Sequence, residues 1–190
     1  MQLGFYFDQT RCTGCWACVV ACKDWNDVPA GPASWMRVST VLRGKYPDVF
    51  MTWVAVPCFH CAHPYCIEAC PAGAIHKRSE DGIVVVDREA CLGKDSCGAC
   101  RDACPFEAPQ FGPESNPKMQ KCDLCAERWA EGKKPICVMA CPTRALDAGP
   151  IEEMEAKYGR GHEAPGLSYD GTLGPAVIVK ARPEVFLSRY

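Results

Sequence analysis

The sequence lacks the features that mark several common classes of protein. Its longest aliphatic runs, Ile83–Val86 and Ala176–Val179, have four residues each, whereas a membrane-spanning helix needs roughly 20. Lys and Arg number 21 against 23 Asp and Glu, a formal charge of −2, which excludes the strongly basic balance of many nucleic-acid-binding proteins. The N-terminal segment has no apolar stretch typical of a secretory signal, and no Arg-Arg pair occurs. We therefore expect no membrane span, no export signal of its own and no nucleic-acid partner.

The sequence also lacks motifs of known enzyme chemistry. The metalloprotease pattern HExxH, the P-loop and the dinucleotide-binding GxGxxG are all missing, and no Ser-His-Asp arrangement is apparent. Hydrophobic residues make up 48% of the 190 residues, but without cysteine the share is about 40%, which is lean for two conventional cores. We therefore predict a non-catalytic chain that is held together by more than side-chain packing.

Sixteen cysteines dominate the sequence, and they fall into four groups of four. Every group ends in Cys-x3-Cys, and the last three groups continue as Cys-Pro-x-x-Ala. This recurrence is an internal repeat, which takes precedence over secondary-structure patterns. In chain order the groups are Cys12, Cys15, Cys18 and Cys22; Cys58, Cys61, Cys66 and Cys70; Cys91, Cys97, Cys100 and Cys104; and Cys122, Cys125, Cys137 and Cys141.

Three kinds of chemistry can use so many cysteines. A disulfide scaffold is disfavoured because no secretory signal is present and because loops of two residues gain little from cross-linking. A zinc protein is disfavoured because four-thiolate sites usually come from two well-separated cysteine pairs. The spacing Cys-x2-Cys-x2-Cys-x3-Cys is that of bacterial ferredoxins, in which the fourth cysteine binds the neighbouring cluster. We therefore predict four [4Fe–4S] clusters, with all sixteen cysteines as iron ligands.

Because the fourth cysteine of each group serves another cluster, the groups must work in pairs. Neighbouring groups could pair in chain order, or the second and third groups could form a unit inserted between the first and fourth. An Asp81-Gly82 turn between short apolar runs predicts a hairpin that links the second group to the third, as in a two-cluster ferredoxin. We favour this nested arrangement, which uses each cysteine once. Its four ligand sets, each named after its first member, are the Cys12 set (Cys12, Cys15, Cys18, Cys141), the Cys22 set (Cys22, Cys122, Cys125, Cys137), the Cys58 set (Cys58, Cys61, Cys66, Cys104) and the Cys70 set (Cys70, Cys91, Cys97, Cys100).

The nested arrangement predicts an α+β fold made of two intertwined bacterial-ferredoxin-like units, the second inserted into the first, with short strands and short helices. The outer unit comprises residues 1–50 and 118–150, and the inserted unit comprises residues 51–117. Residues 151–190 form a C-terminal extension with a returning strand near residues 176–179.

Local patterns predict several individual elements. Ile151–Tyr158 is expected to form a helix, and Met36–Leu42 and Phe50–Val56 are expected to form a hairpin around a loop at Arg43–Asp48. Proline after the last cysteine of a group should end the short helix there, since it fixes φ and has no N–H. The first group has Lys23 instead, so its helix should continue to about residues 24–26.

At this level of detail the chain resembles a known family. The motifs that carry the resemblance are C-T-G-C-W-A-C-V-V-A-C-K-D at the front, C-F-H-C-A-H-P-Y-C-I-E-A-C-P in the middle, and K-C-D-L-C followed by E-G-K-K-P-I-C-V-M-A-C-P-T-R-A-L-D-A-G-P at the back. They are similar to the four-cluster iron–sulfur (electron-transfer, beta) subunit of the dimethyl sulfoxide reductase family of molybdopterin oxidoreductases, over residues 3–152.

The resemblance implies a non-catalytic electron-transfer subunit of a heteromeric oxidoreductase in anaerobic respiration. Its partners would be a large molybdopterin or tungstopterin catalytic subunit and a quinone-reactive membrane subunit or soluble carrier. It would be cytoplasmic, or exported folded with a signal-bearing partner, and membrane-associated only through a partner. Two other functions stay open, a stand-alone polyferredoxin and a zinc-binding structural adaptor.

One departure from the family pattern affects the third cysteine group. Lys94, Asp95 and Ser96 are inserted before Cys97, where the family usually has Cys-x2-Cys. We predict that all four thiols of the Cys70 set still bind, with a [3Fe–4S] centre as the alternative. Of the other candidates near the ligands, His60 and His63 are expected not to bind iron, because the cysteines already complete the four sets.

Overall fold

The computed structural model describes residues 1–184, and there the chain forms seven short strands and six short helices. This mixture fits the predicted α+β class. None of the helices in these residues combines the length and apolar character needed to cross a membrane. The elements in chain order are β1 (Leu3–Asp8), α1 (Ala17–Trp25), β2 (Arg37–Lys45), β3 (Asp48–Val56), α2 (Tyr65–Glu68), β4 (Ile75–Lys77), β5 (Val84–Val86), α3 (Ala99–Asp102), α4 (Ala126–Ala130), α5 (Ile136–Ala140), β6 (Leu146–Pro150), α6 (Ile151–Tyr158) and β7 (Val177–Lys180).

The largest sheet has three strands in the order β6-β1-β7, with β6 antiparallel and β7 parallel to β1. All six residues of β1 are buried because this strand is central and covered on both faces. Phe5 and Phe7 join the main apolar core, while Tyr6 packs with Met154 of α6 on the other face. The predicted returning strand is thus present at β7, and the last six residues of the predicted extension lie outside the described residues.

Asp147 of β6 ties helix α6 and the loop before α5 to this sheet. Its carboxylate accepts hydrogen bonds from the Tyr158 hydroxyl at 2.7 Å and from Lys157 at 3.2 Å, and it pairs with Lys134. Burial alone would raise its pKa, but these hydrogen bonds outweigh burial and lower the pKa of Asp147 to about 2. The aromatic ring of Tyr158 stacks on Tyr6 with centroids 3.7 Å apart, which holds the C-terminal end of α6 against β1.

Strands β2 and β3 form a long hairpin that turns at Tyr46-Pro47. The prediction of a hairpin is confirmed, but the predicted loop over Arg43–Asp48 is wrong, because pairing continues to Lys45↔Asp48. Near the turn, residues 42–45 of β2 are exposed and tolerate charge, whereas Phe50 on the paired part of β3 is buried. Polar residues that suggest a loop are compatible with a strand at such a solvent-exposed position.

The short helices explain the prolines of the repeat. Helices α2, α3 and α5 each carry the third cysteine of a group and end one or two residues before the fourth, which precedes proline. Helix α1 has no such proline and continues through Cys22 to Trp25, as predicted. Strands β4 and β5 pair on either side of the Asp81-Gly82 turn, so the predicted hairpin between the second and third groups is also present.

Candidate iron–sulfur sites

The four cysteines of the Cys12 set line one cavity of about 340 Å³. Three of them come from the loop between β1 and α1, where Gly14 and Trp16 have φ values of 65° and 64°. These left-handed conformations turn the loop back on itself around the cavity. Cys141 directly follows α5, which packs against α1. The packing of these two helices therefore brings the first and the last cysteine groups together.

The Cys22 set is the most deeply buried of the four, since all of its cysteines are buried. Burial, and then the nearby Cys125 sulfur, raises the pKa of the Cys22 thiol to about 12. The pKa values of the Cys122 and Cys137 thiols are also raised well above the ordinary value, first by burial and next by Cys22. The four thiols thus lie close enough to influence one another's charge, although they come from α1, α5 and the segment before α4.

The Cys58 set lines a second cavity, of about 400 Å³, together with Phe59, Phe106 and Leu173. Cys66 lies on α2, and Cys104 follows α3. Burial, followed by Cys58 and Cys104, raises the pKa of the Cys61 thiol to about 12. Apolar side chains therefore surround this group of thiols and keep water from it.

The Cys70 set lines a third cavity, of about 350 Å³, together with Ile75, Phe111 and Met119. The inserted segment before Cys97 is held by hydrogen bonds to a facing loop. The Asp95 N–H donates to Asn116 Oδ1 at 3.2 Å, and the Asn116 N–H donates to Asp95 Oδ2 at 2.9 Å. The insertion therefore forms a folded loop that leaves Cys97 in its set.

The four sets lie in a continuous order through the molecule. Cys18 and Cys22 are one turn apart on α1, so this helix links the Cys12 set to the Cys22 set. Cys122 and Cys58 belong to one small apolar cluster with Ala108, which links the Cys22 set to the Cys58 set. Cys66 and Cys70 are again four residues apart, and they link the Cys58 set to the Cys70 set. The order is therefore the Cys12, Cys22, Cys58 and Cys70 sets.

The alanine of the Cys-Pro-x-x-Ala repeat has a contact that the sequence alone did not reveal. The backbone N–H of Ala108 donates to Cys104 Sγ at 3.5 Å, and that of Ala145 donates to Cys141 Sγ at 3.3 Å. Both alanines are buried, and they line the cavities of the Cys58 and Cys12 sets, respectively. Hydrogen bonds to cysteine sulfur are one of the means by which proteins set the potential of a cluster. The recurrence of alanine three residues after proline in three groups was the sequence signal that could have indicated this contact.

The donor sets fit iron–sulfur clusters. Thiols with raised pKa values stay protonated unless a cation stabilises the thiolate, and metal coordination supplies that charge. Zinc would draw four sulfurs to about 2.3 Å from one point, whereas three of the sets surround cavities. Within residues 1–184, no three His, Cys, Asp or Glu side chains are placed to hold a single metal ion. That each of the sixteen cysteines binds iron stays a prediction.

The other residues near the sets have varied environments. His60 is buried and its Nδ1 accepts a hydrogen bond from the Val84 N–H at 3.0 Å, whereas His63 is exposed. Trp16 borders the Cys12 cavity with 49% of its surface exposed. Lys121, which sequence analysis did not single out, borders the Cys58 cavity and is only 2% exposed. Lysine is so rarely buried that composition and spacing gave no indication of this position.

Thiol-lined cavities connected by short helices define an iron–sulfur protein of the ferredoxin type. Residues 49–151 match the family model described as the 4Fe-4S dicluster domain. The sequence is 46% identical over 166 residues to the B subunit of anaerobic dimethyl sulfoxide reductase of Escherichia coli K12, a match that covers 83% of this chain and 78% of that protein. It is 47% identical over 188 residues to YnfG, a subunit of a probable anaerobic dimethyl sulfoxide reductase of the same strain, covering 94% and 88%.

A relative with a different named substrate is also similar. The thiosulfate reductase electron transfer subunit PhsB of Salmonella typhi is 39% identical over 183 residues, which cover 94% of this chain and 91% of that protein. The protein belongs to the 4Fe–4S dicluster family and, within it, to the iron–sulfur B subunits of the dimethyl sulfoxide reductase type. The resemblance identified from the cysteine motifs is thereby confirmed.

Proposed function

We propose that this chain is the electron-transfer subunit of a heteromeric oxidoreductase and relays electrons through four [4Fe–4S] clusters, one bound by each ligand set. One end of the relay would exchange electrons with a molybdenum- or tungsten-pterin catalytic subunit, and the other with a quinone-reactive membrane subunit or a soluble carrier. The observation that carries the proposal is the continuous order of four thiol sets. Relatives that are named as the B subunit of a reductase and as an electron transfer subunit support it.

The protein's part in this function is to bind, space and insulate the clusters. When bound, a [4Fe–4S] cluster accepts and releases one electron. Helix α1 holds neighbouring cysteines at a fixed separation, while Phe59 and Phe106 pack edge to face at 4.9 Å beside the Cys58 cavity and exclude water. The amides of Ala108 and Ala145 donate to ligand sulfurs and thereby favour the reduced, more negative state.

Anaerobic purification tests the cluster count. We expect a brown protein with about 16 iron and 16 acid-labile sulfide per chain, corresponding to four clusters of four. Replacing one cysteine in each set by alanine, in four separate variants, should remove the electron paramagnetic resonance (EPR) signal of a different cluster each time. A colourless, well-folded protein with zinc in place of iron would contradict the proposal.

Co-purification tests the place of the chain in a complex. We expect the tagged chain, produced together with its neighbouring genes, to elute with a large pterin-containing subunit. Reduced chain mixed with that subunit should lose its electrons only when the substrate of the catalytic subunit is added. Clusters that are present in a chain without such a partner would instead indicate a stand-alone polyferredoxin.

A further inference from the structure

Lys121 lies at the junction of the two predicted units. Its side chain is buried, and its ammonium group donates hydrogen bonds to the backbone carbonyls of Val84 and, at 2.9 Å, of Cys122. Val84 belongs to β5, in the predicted inserted unit, whereas Cys122 belongs to the Cys22 set of the outer unit. One positive charge thus connects the backbones of both units.

This charge has no acidic partner among the described residues, unlike the charges of other lysines. Lys134 and Lys157 both pair with Asp147, and Lys180 pairs with Asp8. Residues 1–184 provide no carboxylate within ion-pairing distance of the Lys121 ammonium. A buried ammonium needs compensating negative charge, and here no directly paired carboxylate supplies it, although Asp123 borders another cavity together with Lys121.

Besides Asp123, the ligand thiolates are the anionic groups near Lys121. Lys121 lines the same cavity as the four cysteines of the Cys58 set. Among the described residues that line this cavity, Lys121 is the one with a cationic side chain. Lys121 is therefore the buried cation of this junction.

The same junction is where the relay passes from one unit to the other, between the Cys22 and Cys58 sets. An oxidised [4Fe–4S] cluster with four thiolates has a charge of about −2 and becomes more negative on reduction. Two such clusters repel each other and an incoming electron, and a fixed cation between them offsets both effects in a medium of low dielectric constant.

We infer that Lys121 is a positioning residue for electron transfer, whose ammonium raises the potentials of the clusters bound by the Cys22 and Cys58 sets and so permits transfer between the two units. The inference rests on the proposed function. In this step one electron leaves the reduced cluster of one set and enters the oxidised cluster of the other, with no bond made or broken and no proton transferred.

Redox titration of the complete complex, followed by EPR, tests the inference. Lys121→Met and Lys121→Gln remove the charge, Lys121→Arg keeps it, and Lys45→Met removes a charge at the exposed end of β2 as a control. In both neutral variants we expect two of the four clusters to become at least tenfold harder to reduce at a fixed potential, about 59 mV for a one-electron couple. The same two clusters should be the ones altered by Cys58→Ser and Cys122→Ser.

The Arg and Lys45 variants should keep the wild-type potentials. Unchanged potentials in an iron-replete neutral variant, or equal shifts of all four clusters, would overturn the inference. Loss of iron from the two neutral variants, with iron retained in Lys121→Arg, would support the need for a positive charge. Loss of iron from the neutral variants and from Lys121→Arg alike would overturn the inference, because the shape of the lysine side chain and not its charge would then be what matters. A wild-type complex without clusters would refute the proposed function itself, whereas a loaded wild type with unshifted variants refutes only the role of Lys121.

Discussion

Replacing Gly14 by alanine is a perturbation whose cost can be worked out from the structure. Gly14 lies between two cysteines of the Cys12 set with φ at 65°, a conformation that costs other L-residues about 1–2 kcal/mol. A Cβ at this position would also overlap the indole ring of Trp53, and overpacking of this kind costs about 1–3 kcal/mol. We therefore expect Gly14→Ala to destabilise the protein by about 2–5 kcal/mol.

Gly73 provides the matched control. Its φ is 60°, and a Cβ built there meets no atom within 4 Å. Gly73→Ala should therefore carry only the backbone cost of about 1–2 kcal/mol. For a chain of this size 1 kcal/mol corresponds to about 2–4 °C. We expect the temperature of cluster loss to fall by about 2–8 °C in Gly73→Ala and by about 4–20 °C in Gly14→Ala.

The assay is anaerobic heating with the visible absorbance of the clusters as the signal. All variants must be heated at one rate, because cluster loss is irreversible and its midpoint depends on the rate. The Trp53→Ala background separates the two costs, since Gly14→Ala should be less damaging once the indole is gone. Equal shifts for Gly14→Ala and Gly73→Ala, or a Gly14→Ala effect that is the same in both backgrounds, would refute the reasoning.

Three further substitutions have defined expectations. Asp147→Asn should destabilise the protein by about 1–2 kcal/mol at pH 7. The lowered pKa of Asp147 gives stability that is present above about pH 4 and is lost as the pH falls towards 2. The difference in unfolding free energy between the variant and the wild type, followed by tryptophan fluorescence, should therefore close over that range. Arg128→Lys removes a guanidinium 4.5 Å from the Trp25 ring centroid and should cost about 0.5–2 kcal/mol in the same assay. Asn116→Ala frees the loop at Asp95 and should speed loss of the Cys70-set cluster in air, whereas Asn116→Asp, which keeps the acceptor, should change the rate less.

The cysteine pattern predicted most of the candidate site because spacing determines which thiols can meet. The nested sets, which the Asp81-Gly82 hairpin signal favoured, group thiols that lie near one another in the structure, while their binding of iron stays a prediction. Helix α6 begins and ends where periodicity placed it, at Ile151 and Tyr158. These features are local or follow from simple counting. Whether the units act as separate domains with the predicted boundaries stays a prediction.

Other features depend on contacts between distant residues and left little trace in the sequence. Strand β6 contains Asp147, Ala148, Gly149 and Pro150, residues that seldom favour strands, and it forms because β1 offers a partner. Lys121 is buried although lysine is normally exposed, and its ammonium is held by the backbone carbonyls of Cys122 and of the distant Val84. Sequence patterns record average environments, and these positions are exceptions to the average.

Helices α1 and α5 have a consequence for how such chains can diversify. Cys18 and Cys22 both lie on α1, four residues apart, a rise of about 6 Å along an α-helix, whereas Cys137 lies on α5 and Cys141 directly follows it. The step between the Cys12 and Cys22 sets is thus fixed by helix α1, on which α5 packs, and is insensitive to loop length. Loops such as the one containing Lys94 can lengthen and acquire new surfaces for new partners, while the spacing of the two sets that α1 connects stays constant.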